Sequence, residues 1–172
     1  MLTKKDTTTK QVQYGKAGEY LVCHDLIMRG YNAIIVDQGL PFDIIVEKDG
    51  KIKKIQVKSS SCVKNKTNQY TFCIREGKER NRIKNVEFDY LALAALDRKI
   101  IAYIPAYNAI SNDNIVVGSI SFKTKEMEYS NTKGNYIEDF RVFDWENVNT
   151  YDDIKKMIEF EKNKRNNRKK LF

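Results

Sequence analysis

Apolar residues recur along the chain with two different spacings. Over "YGKAGEYLVCHDLIMRGYN", Ala17, Tyr20, Leu21, Cys23, Leu26, Ile27 and Met28 follow a helical period, and Gly30 stands where a C-terminal cap is expected. This predicts a helix over about residues 15–29. The threonine-rich residues 1–13 are expected to be loosely ordered. Beyond the helix the pattern shortens to strands: Ala33–Val36, then "FDIIVE" and "KIKKIQVKS", joined at Asp49-Gly50, a pair suited to a primed hairpin turn. "NQYTFCIR" reads as a further strand. "FDYLALAAL" is almost wholly apolar, as in a strand covered on both faces, and "KIIAYIPA" reads as its hairpin partner across Asp97-Arg98-Lys99. "IVVGSISF" is a strand candidate, "FRVFDWENV" mixes aromatic and polar residues, and Trp145 is assigned to packing. A final helix is expected from Tyr151, with an apolar stripe of Ile154, Met157, Ile158 and Phe160 that gives way to a basic tail. The order implies a single α/β domain over residues 14–150 with a mixed sheet, a flexible segment at 1–13 and a C-terminal helix and tail at 151–172.

Composition narrows the class. With 172 residues and 41% hydrophobic content, one domain can bury a real core. Lys and Arg number 31 against 23 Asp and Glu, a formal charge of +8 that suits a polyanionic partner, nucleic acid first and an anionic membrane surface second. No apolar run approaches a membrane span, and the N-terminus lacks the apolar stretch of a signal peptide, so a cytoplasmic protein is expected. Three cysteines without a CxxC pair suit free thiols rather than a zinc site. A single histidine, His24, excludes chemistry built on several histidines.

The hairpin "PFDIIVEKDGKIKKIQVKSSS" carries the candidate chemistry. Asp43 opens its first strand. Gln56 and Lys58, two apart on its second, share one face, while Val57 points to the other. Counting out from Asp49-Gly50 brings Asp43 to the same open end as Gln56 and Lys58. Glu19, on the helix that packs on the sheet, can complete the cluster. Asp43 and Glu19 offer hard oxygen ligands for Mg²⁺, with the Val57 carbonyl as a further ligand. Lys58 is a compact cation suited to orienting a water and offsetting charge at phosphorus. Gln56 can ligate through its amide oxygen or hold a water, but adds no negative charge. For each residue a bland role competes: a solvated strand end for Asp43 and Lys58, a helix-dipole partner for Glu19.

Together, "GKAGE" on a helix, "PFD", a hairpin and "IQVKSS" resemble the PD-(D/E)XK nuclease superfamily. Within it, the Q-x-K in place of E-x-K looks most like the group I intron homing endonuclease branch. The similarity covers roughly residues 14–105. It implies a restriction-endonuclease-like core, a mixed β-sheet flanked by helices in the order α-β-β-β-α-β. It also implies an Mg²⁺-dependent endodeoxyribonuclease for which Mn²⁺ can substitute. The superfamily's metal-binding acids carry over to Glu19 and Asp43, its third motif position to Gln56 and its lysine to Lys58. Gln56 departs from the usual acid and leaves the metal count open. Archaeal Holliday-junction resolvases are similar over the same core but keep E-x-K. The downstream Q-x-x-x-Y of RecB-like exonucleases is absent.

Basic residues that flank this constellation are expected to face double-stranded or branched DNA: Lys64 and Lys66 after the serines, and Arg75, Lys78, Arg80 and Arg82 in the following loop. Ser59 and Ser60 are candidate phosphate donors. The bland alternative is a solvated charged surface for the basic residues and strand-end polar residues for the two serines. Cutting both strands with one site per chain implies a homodimer or homotetramer, and residues 107–150 are the expected interface. Resolvase or restriction-type cleavage is the alternative chemistry. A nuclease-fold DNA-binding module without catalysis is the alternative of another class.

Overall fold

The computed structural model describes residues 4–36, 39–61, 69–74, 87–109, 118–124 and 136–146. Helix α1 runs over Lys4–Met28. It starts well ahead of the expected position. The stretch 4–13 carries three threonines, which lowered its apparent propensity, but no Gly or Pro to break a helix. At its other end the helix closes on a Schellman motif. The Gly30 N–H donates to Ile27 O at 2.9 Å and the Tyr31 N–H to Leu26 O at 3.1 Å, with Gly30 at φ 85°.

Among the described residues seven strands follow: β1 (Asn32–Ile35), β2 (Ile44–Lys48), β3 (Lys51–Ser60), β4 (Tyr70–Cys73), β5 (Tyr90–Ala95), β6 (Ile100–Pro105) and β7 (Ser119–Phe122). Five of them form one mixed sheet in the order β1-β2-β3-β5-β6, with only β3 and β5 parallel. Strands β4 and β7 form a separate antiparallel pair. The β2–β3 turn is the expected one, with Asp49 at φ 53° and Gly50 at φ 74°. Between β3 and β5 the described residues hold β4 rather than a helix. Residues 62–68, 75–86 and 147–172, with the late helix and tail expected there, lie outside the described residues.

The sheet is covered on both faces, and β5 shows why its sequence lacks alternation. All six of its residues are buried. Tyr90, Ala92 and Ala94 join Val22 and Leu26 of α1, together with Ile44, Val46, Ile55, Val57, Phe143 and Trp145. Leu91, Leu93 and Ala95 join Tyr70, Phe72, Phe88, Phe122 and Ile137 on the opposite face. Burying each large apolar side chain contributes about 1.5–3 kcal/mol, so the helix and the β4–β7 pair both hold β5 in place.

The helix meets the sheet through Gly18, Val22 and Leu26, a stripe at i, i+4 and i+8. The apolar pattern did not fix this phase: Tyr20, Ile27 and Met28 are exposed. No helix among the described residues is long and apolar enough to cross a membrane.

Candidate active site

Strand β3 is shared between two neighbours. Its residues 51–55 pair with β2 and its residues 55–60 with β5. Past Ile55, β2 has ended and the β2 side of β3 lies open. Asp43 stands at this fork. Its own N–H still donates to Ile55 O at 2.9 Å, continuing the ladder. Its side chain then replaces the missing strand: Oδ2 accepts the Val57 N–H at 2.7 Å and also the Gln56 Nε2–H. The Val57 N–H therefore faces the fork, and in a strand the carbonyl of a residue lies on the same side as its N–H. The fork thus holds the Asp43 carboxylate and the Val57 carbonyl together.

Burial pushes the Asp43 carboxyl above its ordinary value. The Val57 N–H and the charges of Lys58 and Lys16 oppose that rise, while the Glu19 charge adds to it. Three charged groups therefore act on Asp43: Lys58, Glu19 and Lys16. Lys58 is half-buried and, among the described residues, is held in no ion pair. Its charge remains available to a phosphate.

Glu19 arrives from the helix face of the sheet, and Gly18 sets how closely it arrives. A Cβ at position 18 would overlap Ser59 Oγ and lie 3.0 Å from Ser59 Cβ. A glycine inside a helix costs about 1 kcal/mol relative to alanine, and this contact is its physical reason. A Cβ at Gly15, by contrast, would meet nothing within 4 Å. Only the second glycine of "GKAGE" is a packing requirement.

The same contact corrects the reading of Ser59. Its Oγ is buried in the helix–sheet seam with no hydrogen-bond partner among the described residues, so it is not a phosphate donor on the surface. Side chains alternate along a strand, and Ser59 falls on the side of Val57. Ser60 falls with Lys58 and is half-buried, and its carbonyl accepts from Leu96 N–H. Gln56 donates its amide N–H to the Asp43 carboxylate and so braces it, a role beside the one expected of its amide oxygen. Lys64, Lys66, Arg75, Lys78, Arg80 and Arg82 lie outside the described residues.

Two features went unread in the sequence. Gly18 carried a signal, since glycine inside a helical pattern calls for a packing reason. Lys16 carried another: it precedes Glu19 by one turn, and its Nζ lies 2.7 Å from Glu19 Oε2.

The model of the family described as PD-(D/E)XK endonuclease matches residues 8–143, most of the chain and all of the fork. The chain belongs to the PD-(D/E)XK endonuclease family. Among solved structures, the fold is similar to that of a bacterial homing endonuclease, I-Ssp6803I. The TM-score is 0.57 at 18% identity, over 82% of this chain and 88% of that one. No curated protein matches. In this PD-(D/E)XK endonuclease family member Asp43 and Gln56 meet at the fork of β2 and β3, and Lys58 stands two residues beyond Gln56 on β3.

The donor set suits a hard divalent cation. Among the described residues no group of three or more His, Cys, Asp and Glu side chains gathers, so the fork has no zinc-like cluster. Two carboxylates and a backbone carbonyl fit Mg²⁺, which keeps several of its waters and takes few protein ligands. Asp43 strengthens that fit, because a carboxylate whose burial disfavours its charge gains from a cation beside it.

Proposed function

We propose that this protein is an Mg²⁺-dependent DNA endonuclease of the homing type, with Glu19, Asp43, Gln56 and Lys58 as its working residues. The observation that carries the reading is the Asp43 carboxylate held at the fork by the Val57 N–H at 2.7 Å and by the Gln56 amide, with Lys58 next along β3. The charges of Lys58 and, from the helix, Glu19 both act on it. Glu19, Asp43 and the Val57 carbonyl would hold the cation. When bound, it would supply a Lewis acid and an activated water to the phosphodiester. Lys58 orients the attacking water and offsets charge that builds on the phosphoryl oxygens. Gln56 fixes the Asp43 carboxylate by donating to Oδ2, and the Val57 N–H fixes it from a second direction. The likeness to a homing endonuclease structure supports that type over restriction-type cleavage. A homodimer or homotetramer acting on double-stranded DNA completes the reading, since one site per chain cuts one strand.

A second reading has its own support. Gln56 stands in the usual acid's position and adds no negative charge, which leaves two acids, and a nuclease-fold DNA-binding module without catalysis would need no more. One digest separates the readings. Long linear duplex and a four-way junction are incubated with the protein and Mg²⁺, with Lys58→Ala alongside. Rare duplex cuts that vanish in the variant support the homing type. Cutting of the junction alone indicates a resolvase. Tight binding without cutting indicates the module.

A further inference from the structure

The acid that comes from the helix is already paired. Lys16 Nζ lies 2.7 Å from Glu19 Oε2, one turn away on α1. We propose that Lys16 is a tethered counter-ion of Glu19, and that a divalent cation entering the fork must displace it. This rests on the metal-binding reading given above.

An ammonium and a divalent cation seek the same carboxylate oxygens. At 2.7 Å the ammonium occupies the approach to Oε2, and two cations cannot share that approach without strong repulsion. Lys16 sits close enough to the fork for its charge to act on Asp43 as well. In the cation-free fork Lys16 and Lys58 are the charges that offset the burial of Asp43, and only in part. Displacement is easy to accommodate. The Lys16 side chain is 45% exposed and its stem is flexible, and the exposed ring of Tyr20 lies 5.7 Å from Nζ as a second resting place. An exposed pair of this kind is weak, so the competition tunes affinity rather than blocking the site.

The test is Mn²⁺ binding to the full chain without DNA, followed by the resonance signal of free Mn²⁺ near neutral pH and low salt. Lys16→Met is expected to bind about two- to fivefold more tightly than wild type. Lys10→Met removes an exposed charge nearly two turns earlier on the same helix and is expected to match wild type. Unchanged or weaker binding by Lys16→Met overturns the proposal. So does an equal gain in both lysine variants, which would mark general charge removal rather than a displaced partner. The Glu19→Gln, Asp43→Asn double variant tests the underlying reading separately. If it binds Mn²⁺ as wild type does, the fork is not the metal site at all, whatever the lysines do. Circular dichroism of each variant confirms that the helix is retained.

Discussion

Strand β2 is bounded by two carboxylates with opposite surroundings. Glu47, near the turn, accepts from Asn32 Nδ2–H at 2.7 Å and from the Gly50 N–H at 2.8 Å. Those bonds hold its carboxyl below the ordinary value. Asp43, at the open end, also accepts two bonds, yet burial holds its carboxyl above the ordinary value. Hydrogen bonding is similar at the two ends; solvent is not. Glu47 is paid in full by its partners and by water, and its task is to close the hairpin. Asp43 draws positive charge: Lys58 and Lys16 act on it, and in the proposed reaction a metal takes the place of Lys16. A carboxylate whose environment leaves its charge under-compensated is the one to suspect of chemistry.

The largest effect that tests this contrast is on cleavage. Lys58→Ala is expected to lower the rate of plasmid nicking in Mg²⁺ by about 10²–10³-fold, the usual cost of one preorganised electrostatic group. Glu47→Gln is expected to leave the rate unchanged. Equal losses in the two variants would erase the distinction between the ends of the strand. Retained cleavage in Lys58→Ala would move the active site elsewhere.

A second effect, on how the helix is seated, sharpens the contrast. Gly18→Ala places a methyl group on Ser59 Oγ. Overpacking of this kind costs about 1–3 kcal/mol, and here it also pushes Glu19 away from the fork. Ser59→Gly removes the two atoms that crowd the new methyl and leaves Val57 Cγ1 at an ordinary 3.6 Å. The double variant Gly18→Ala, Ser59→Gly is expected to recover most of the lost thermal stability and of the lost Mn²⁺ affinity. Recovery of stability without affinity would mean that Gly18 serves the core and not the placement of Glu19.

Much of this arrangement was legible beforehand because it depends on local chemistry. Asp49-Gly50 demands positive φ, so the hairpin and its register followed from two residues. Counting out from the turn then brought Asp43 to the same open end as Gln56 and Lys58. The unbroken apolar run of β5 announced a strand covered on both faces. What could not be read was long-range. The start of α1 depended on the absence of a breaker rather than on any positive signal. Its apolar residues surround the helix, so the buried stripe could not be phased, and Tyr20 and Met28 turned out exposed. The fate of Ser59 depended on how close the helix comes, a quantity that only the Gly18 contact reveals. Gln56 looked like a ligand because its amide oxygen is one; that its amide N–H would be claimed by Asp43 required the fork itself.

The smallest effects concern stability against pH, and they carry opposite signs at the two ends of β2. The Asp43 carboxyl is raised from its ordinary 3.8, so the folded, metal-free chain holds that proton more tightly than the unfolded chain. Its contribution to stability is present below the ordinary value and is lost as pH rises through the folded value. The Glu47 carboxyl is lowered from 4.5, so its contribution is present above the ordinary value and is lost as pH falls through the folded value. Asp43→Asn removes the charge and leaves an amide oxygen able to accept from Val57 and Gln56. It is expected to raise the metal-free Tm near neutral pH by roughly 2–4 °C, corresponding to about 1 kcal/mol, while the advantage fades in acid. Glu47→Gln is expected to lower Tm slightly at neutral pH, with the loss fading in acid; the bonds of Glu47 lie at the surface, where water screens them. Adding Mg²⁺ should reverse the first ranking and leave the second alone. Only the wild-type carboxylate at position 43 gains from the cation, so wild type should overtake Asp43→Asn as Mg²⁺ rises. Thermal melts of the three proteins across acid and neutral pH, with and without Mg²⁺, read all of this at once. An Asp43→Asn variant that is less stable than wild type in the absence of metal would show that the buried charge is already compensated, and that the fork is a structural junction rather than a site waiting for a cation.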